Sequence, residues 1–312
     1  MTITALILPL LAQASAAQAA GRVAPDPLSP AQIVAAAPAG EWRGIAAENL
    51  LVMDLAPDAR GRARRVTIQL MPPPFSQGWV ANIRLLARAR WWDGTSVNRV
   101  QDNYVAQWGD ATENKALPAG LNKVVESEYD QPGGEPVPAT GMMAGDMQMF
   151  SNEDAYASLV GFTLGFPSAQ EGTKRWPVHC YGTVGVGRDL SPNTGTGAEL
   201  YTVIGHAPRH LDRNIAVVGR VVEGIEHLSS LPRGTEALGF YKTAEERTLI
   251  RSIRLGSDLP EGERPRFEYL STEGASFAAY ADARANRRDA FFIRPAGGAD
   301  ICNVPVPVRR VR

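Results

Sequence analysis

Short apolar segments rich in β-branched residues recur along the chain, and they limit its fold more than any other feature. Residues 66–70 alternate apolar and polar side chains, as a half-buried strand does. Further strand-like segments lie at residues 50–53, 182–187, 199–204, 215–222 and 249–255. Only two helical patterns lie among them, at residues 79–90 and 224–231, so strands and helices do not alternate. This order predicts a mainly β fold with a closed antiparallel sheet.

A long segment interrupts the strand pattern. Residues 111–178 are rich in Gly, Pro and Met, and a structureless loop of that length is uncommon inside a compact domain. We therefore predict an insertion with structure of its own, including a short helix within residues 152–160. Beyond it, we expect one domain over residues 41–260 and a C-terminal extension over residues 261–312. In that extension, residues 277–290 suggest a helix and residues 291–293 an apolar strand.

The N-terminus has the pattern of an export signal. Residues 1–19 contain a short apolar run and end in the small residues Ala17-Gln18-Ala19, although no Lys or Arg precedes the run. Residues 20–40 are rich in Ala and Pro and read as a linker. We expect a periplasmic or secreted monomer with no membrane-spanning segment after cleavage. The net charge of −1 gives no field that would attract nucleic acid.

The chain has two cysteines, Cys180 and Cys302. In an exported protein they could form a disulfide, and the alternative is two buried free thiols. Together with the four scattered histidines they do not make a zinc-binding spacing, so we expect no metal site.

One short segment contains most of the candidate site. Arg99, Tyr104 and Gln107 follow each other at offsets of 0, 5 and 8. Arg99 and Gln107 are an even number of residues apart, so on one extended strand they would face the same side. A fixed cation and an amide beside an aromatic ring can bind the carbonyl groups of a peptide. Without a nucleophile or metal ligands, such a surface cannot easily hydrolyse it.

Several blocks of sequence resemble motifs of the cyclophilins, and they occur in the family's order. Trp92-Asp93-Gly94-Thr95 is similar to a Tyr-Asp-Gly-Thr turn, Val97-Asn98-Arg99-Val100 to Phe-His-Arg-Val, and Gln107-Trp108-Gly109-Asp110 to Gln-Gly-Gly-Asp. Glu199-Leu200-Tyr201 resembles Gln-Phe-Phe, and residues 217–224 resemble Val-Phe-Gly-Lys-Val-x-x-Gly. The likeness covers about residues 50–255 apart from the insertion. It implies an eight-stranded antiparallel barrel with two short capping helices.

The resemblance also implies a function. Cyclophilins are peptidyl-prolyl cis-trans isomerases that act on proline-containing polypeptides and need no cofactor. Arg99, Gln107 and Tyr104 match the catalytic positions, and Arg99 would stabilise the twisted amide. The residues matched to substrate binding are Val105, Gly187, Glu199, Tyr201, His210, Leu211 and Ile215.

Some of these positions depart from the family pattern. Glu199 replaces a glutamine and is a candidate partner for Arg99, while Trp108 replaces a glycine. Tyr201 replaces the pocket phenylalanine, and Ile215 stands where many members carry a histidine. These changes keep open a second hypothesis, a peptide-binding or chaperone module with little or no catalysis. A third hypothesis gives the main role to the insertion and the tail.

Overall fold

The computed structural model describes residues 27–133, 143–144, 147–151 and 154–311. The predicted signal peptide lies outside these ranges. The described residues contain four α-helices and 17 β-strands. The helices are α1 (Pro30–Ala36), α2 (Gln77–Arg88), α3 (Glu226–Ser229) and α4 (Ala275–Ala285). The strands are β1 (Trp42–Ile45), β2 (Leu50–Leu55), β3 (Arg64–Leu70), β4 (Ser96–Val100), β5 (Val105–Gly109), β6 (Gln131–Pro132), β7 (Met143–Ala144), β8 (Met147–Ser151), β9 (Leu159–Thr163), β10 (Phe166–Glu171), β11 (Lys174–Pro177), β12 (Thr183–Val186), β13 (Leu200–Val203), β14 (Val217–Glu223), β15 (Thr248–Leu255), β16 (Phe267–Leu270) and β17 (Val308–Arg310).

Eight strands close into an antiparallel barrel in the order β12-β13-β5-β4-β15-β2-β3-β14. The predicted barrel is therefore confirmed, and its two expected helices are α2 and α3. Helix α2 lies against β14 and β15, and α3 lies against β3. The spacing of Trp79, Val80, Ile83 and Leu86 places these side chains on one face of α2, and all four are buried in the barrel core.

The insertion forms a second sheet. Its six strands lie in the order β6-β11-β10-β9-β8-β7. Residues 111–130 do not join this sheet and run along the barrel, where Tyr129 stacks on Trp79 with ring centroids 5.4 Å apart. The helix predicted within residues 152–160 is wrong where the structure describes that range, because β9 begins at Leu159. Residues 152 and 153 lie outside the described ranges.

Segments from before, within and after the barrel share a second core. Helix α1 packs on α4, and β1 pairs with β16, which pairs with β17. Side chains from these elements form one apolar cluster with the inserted sheet, including Trp42, Phe162, Trp176, Phe277 and Ile301. Among the described residues, no helix is long and apolar enough to cross a membrane.

This second core corrects several sequence predictions. The predicted linker is helical at Pro30–Ala36, and Trp42–Ile45 belongs to the second core instead of beginning the barrel domain. Helix α4 ends at Ala285, earlier than predicted. Residues 291–293 form an exposed turn and no strand, because they find no partner strand in the described structure.

The two cysteines are joined. Cys180 and Cys302 form a disulfide with a Cα–Cα distance of 5.1 Å, which decides between the two alternatives left open by the sequence. Cys180 lies between the inserted sheet and barrel strand β12, while Cys302 lies in the tail. Both cysteines belong to the second core, so the bond ties the tail to the segment that connects the inserted sheet to β12.

Candidate active site

A groove of about 760 Å³ lies on the barrel beside β4, β5 and β13. Nine of the ten side chains or backbone positions that the sequence predicted for catalysis and substrate binding line it: Arg99, Tyr104, Val105, Gln107, Gly187, Glu199, Tyr201, Leu211 and Ile215. His210 is the exception. It is exposed, and its ring stacks on Tyr104 with centroids 6.4 Å apart. The prediction that His210 lines the groove is therefore wrong, and its ring instead stacks on Tyr104.

Arg99 and Gln107 meet because two strands pair. Arg99 lies in β4 and Gln107 in β5, and they are directly opposed in the antiparallel register. A turn between the strands includes Asn103 with a φ of 49°, a left-handed conformation that Asn tolerates better than most residues. The predicted proximity is correct, but the reasoning from a single extended strand is wrong.

Three acceptors fix the Arg99 guanidinium. Its Nε donates to the Leu238 carbonyl at 2.7 Å, and its Nη1 donates to Gln107 Oε1 at 3.1 Å. Its Nη2 donates to Gln101 Oε1. Among the described residues, no carboxylate forms an ion pair with this guanidinium. Burial lowers the pKa of Arg99, but a guanidinium remains charged in proteins. The site therefore contains an oriented cation that is not neutralised by an ion pair.

Two aromatic rings flank the guanidinium. Its Cζ lies 5.7 Å from the Tyr104 ring centroid and 5.3 Å from that of Phe240. Burial raises the pKa of Tyr104, so its hydroxyl stays neutral. Leu238 and Phe240 were missed by the sequence reasoning. They belong to a distant loop, in which Leu238 lies 139 residues after Arg99. No strand or helix periodicity marks that loop.

Glu199 contacts Gln107 and not Arg99. Gln107 Nε2 donates to Glu199 Oε2 at 3.3 Å, while the amide oxygen of Gln107 accepts from Arg99. Each end of the amide thus has one partner, which fixes its orientation. Burial raises the pKa of Glu199 to about 7, although hydrogen bonds from Gln107 and Asn98 oppose this shift. The carboxyl therefore changes its charge near neutral pH.

An apolar pocket lies next to the cation. Val105, Tyr201 and Val203 are buried in a small cluster that is separate from the barrel core. Tyr104, Leu211 and Ile215 pack against this cluster and are partly exposed to the groove. Such a pocket can accept a small apolar ring.

Trp108 is part of the barrel core. Its side chain is fully buried, and its strand position is opposite Leu200. Side chains alternate along β5, so Trp108 points to the opposite side from Gln107. The departure from the family glycine therefore fills the core and leaves the groove unobstructed.

The comparisons with known proteins agree with this geometry. The family model described as "Cyclophilin type peptidyl-prolyl cis-trans isomerase/CLD" matches residues 64–254, which is more than half of the chain. The solved structures include a similar one, the cyclophilin AquaCyp293 from Hirschia baltica. It is 25% identical with a TM-score of 0.63, and the match covers 86% of this chain and 93% of that one. No curated protein matches.

The chain belongs to the cyclophilin-type peptidyl-prolyl cis-trans isomerase family. It is therefore an isomerase of X-Pro peptide bonds, and the hypothesis of a module without this activity is not favoured.

Proposed function

We propose that Arg99 accelerates X-Pro rotation by hydrogen bonding to the proline nitrogen of the twisted amide. Conjugation gives the peptide bond a barrier of about 18–20 kcal/mol. When the amide twists, conjugation is lost and the nitrogen becomes a better hydrogen-bond acceptor. A guanidinium positioned at that nitrogen then stabilises the transition state more than the planar ground state.

The groove supplies the other parts of the mechanism. The apolar pocket of Val105, Tyr201, Leu211 and Ile215 would seat the proline ring next to Arg99. The oriented Gln107 amide and the backbone near Glu199 would bind the peptide on the other side. The ring would thus be held while the preceding carbonyl rotates, which requires neither a nucleophile nor a cofactor.

The fixed, unneutralised Arg99 guanidinium beside an apolar pocket carries this proposal. Its partners are two side-chain amides and a backbone carbonyl, which orient the cation without cancelling its charge. Partial burial also reduces the screening of that charge by water.

The test is the isomerisation rate of a proline-containing tetrapeptide. Arg99→Ala should lower kcat/KM about 100-fold or more, the usual effect of removing a donor to a transition-state charge. Arg62→Ala is a matched control, because Arg62 is an exposed arginine paired with Asp58 and lies outside the groove. Equal rates for Arg99→Ala and wild type would refute the role of Arg99.

We also propose that the substrates are exported proteins. The signal-like pattern of residues 1–19 supports this, as does the disulfide, since such bonds persist mainly in oxidising compartments. Fusing residues 1–40 to a phosphatase that is active only outside the cytoplasm tests export in a bacterial host. We expect activity that disappears when residues 1–19 are deleted. An inactive fusion with residues 1–19 present would contradict the proposal.

A further inference from the structure

A chain of buried polar side chains connects the proline pocket to the inserted segment. Tyr201 Oη lies 2.9 Å from His179 Nε2, and His179 Nδ1 lies 2.9 Å from Asp212 Oδ1. Arg209 Nε donates to Asp212 Oδ2 at 2.7 Å. The two Nη atoms of Arg209 then donate to both oxygens of Asp154, each at 3.0 Å.

Water is largely excluded from this series of polar side chains. The side chains of His179, Arg209, Asp212 and Asp154 are all at most 5% exposed. The Tyr156 ring covers the guanidinium of Arg209, with Cζ 4.8 Å from the ring centroid. The Arg209–Asp154 contact is a bidentate fork, the geometry that fixes both partners most strictly.

Each contact in this series joins a donor to an acceptor. Burial raises the pKa of Tyr201 well above its usual value, so its hydroxyl keeps its proton and forms a hydrogen bond with His179 Nε2, whose direction is set by the imidazole tautomer. Burial alone would raise the pKa of Asp212. The hydrogen bond from His179 and the charge of Arg209 outweigh burial and lower it, so this carboxylate accepts from His179 Nδ1. Every link therefore has a donor and an acceptor, and the Tyr201 ring is tied in one orientation.

The series of polar side chains is not required to fill the pocket. The cyclophilin pattern has a phenylalanine at the position of Tyr201, and a phenylalanine needs no polar partner. Buried ionic contacts are also weak sources of stability, because desolvation of the charges offsets much of their attraction. Their rigid geometry is the contribution that an apolar core would not supply here.

We propose that Asp154 of the inserted segment is a positioning residue for substrate binding, acting through Arg209, Asp212 and His179 on Tyr201 in the proline pocket. The inference rests on the isomerase function of the groove. It assigns the insertion a role in substrate binding although Asp154 itself does not line the groove.

Steady-state kinetics of Asp154→Asn in the full-length protein test this role. The variant keeps the size of the side chain but removes the charge that anchors Arg209. Because the pocket seats the proline, KM should rise about fivefold while kcat changes less than twofold. Asp130→Asn is the matched control, since Asp130 forms an exposed ion pair with Lys174 next to the inserted sheet and should leave both constants unchanged.

A double-mutant cycle with Tyr201→Phe separates positioning from general destabilisation. Tyr201→Phe removes the hydroxyl that connects the ring to His179, so in its background Asp154→Asn should raise KM less than twofold. An equal, fivefold effect in both backgrounds would overturn the inference, and so would an unchanged KM in Asp154→Asn. If Asp154→Asn does not fold, Arg209→Lys keeps the charge, removes the fork and takes its place in the same cycle.

Arg99→Ala is measured in parallel. If it loses activity while the Asp154 cycle shows no coupling, only this inference fails. If it remains active while the cycle shows coupling, only the arginine mechanism fails.

Discussion

The carboxyl of Glu199 is a group in the groove whose pKa is moved by burial into the neutral range. Burial raises its pKa from 4.5 to about 7. At a pH between 4.5 and about 7, Glu199 holds a proton in the folded protein that it has released in the unfolded chain. The free energy of unfolding therefore falls as pH rises from about 4.5 to 7, and the loss from this group is complete above pH 7.

Glu199→Gln should remove this pH dependence. Relative to the variant, the wild type should lose up to about 3 kcal/mol of unfolding free energy between pH 5 and pH 8, by the conversion of 1.36 kcal/mol per pKa unit. Denaturant unfolding of both proteins at the two pH values measures the difference. Groups other than Glu199 titrate in both proteins and cancel in the comparison. Parallel stability curves would contradict the assigned pKa.

Single residues also show what the sequence could and could not predict about the site. Arg99, Gln107 and Glu199 were predicted because the blocks of sequence that contain them resemble cyclophilin motifs. Leu238 and Phe240 come from a distant loop that only the tertiary fold brings to Arg99. The hydrogen-bond partner of Glu199 also could not be predicted from the sequence, because it depends on the rotamer of Gln107.

At the scale of elements, strands β12 and β13 place the Tyr201 ring. Gly185 lies opposite Tyr201 in the antiparallel register, and the ring crosses the space that a side chain at Gly185 would occupy. A Cβ built at Gly185 would lie 2.3 Å from two atoms of Tyr201, its Cζ and its Oη. The absence of a side chain at Gly185 in β12 therefore leaves the space that the Tyr201 ring of β13 occupies.

Gly185→Ala should displace Tyr201 and destabilise the protein by about 1–3 kcal/mol, the usual effect of overpacking. KM for the tetrapeptide should rise as well. Gly44→Ala is the matched control, because Gly44 is also in a strand and a Cβ there would have no atom within 4 Å. Thermal unfolding and steady-state kinetics measure both effects. If Gly185→Ala behaves like Gly44→Ala, Tyr201 is not confined as described.

The sequence predicted elements well where apolar residues recur at a regular spacing. Helix α2 was found because its apolar residues recur at helical spacing. Residues 66–70 were correctly predicted as a strand, but all five are buried and not half-buried. Arg220 bonds to Gln69 in β3 and stacks on Phe166 of the inserted sheet, so the insertion covers the outer face of the strand. No local sequence pattern could indicate that the insertion covers this face of β3.

At the scale of the whole molecule, three separate segments of the chain build one accessory core. The N-terminal helix α1, the inserted sheet and the C-terminal helix α4 contribute to a single apolar cluster beside the barrel. The sequence indicated an insertion and an extension as separate features. Their association depends on contacts between residues more than 100 positions apart, which one sequence does not show.

The disulfide should stabilise this arrangement. Cys180 and Cys302 are 122 positions apart, and a loop of that size costs the unfolded chain much of its conformational entropy. Cys302→Ser should lower the free energy of unfolding by about 2–5 kcal/mol. A reductant should destabilise the wild type to the level of the variant and leave the variant unchanged. A variant as stable as the oxidised wild type would contradict the expected contribution.

The most direct test of the mechanism separates binding from rotation. NMR exchange of a proline peptide, measured with saturating wild-type or Arg99→Lys protein, gives the on-enzyme isomerisation rate and Kd separately. Lysine keeps the charge but loses the planar, fixed geometry. If Arg99 acts on the twisted amide, the on-enzyme rate should fall about 100-fold while Kd changes less than threefold. A weakened Kd with an unchanged on-enzyme rate would contradict the mechanism.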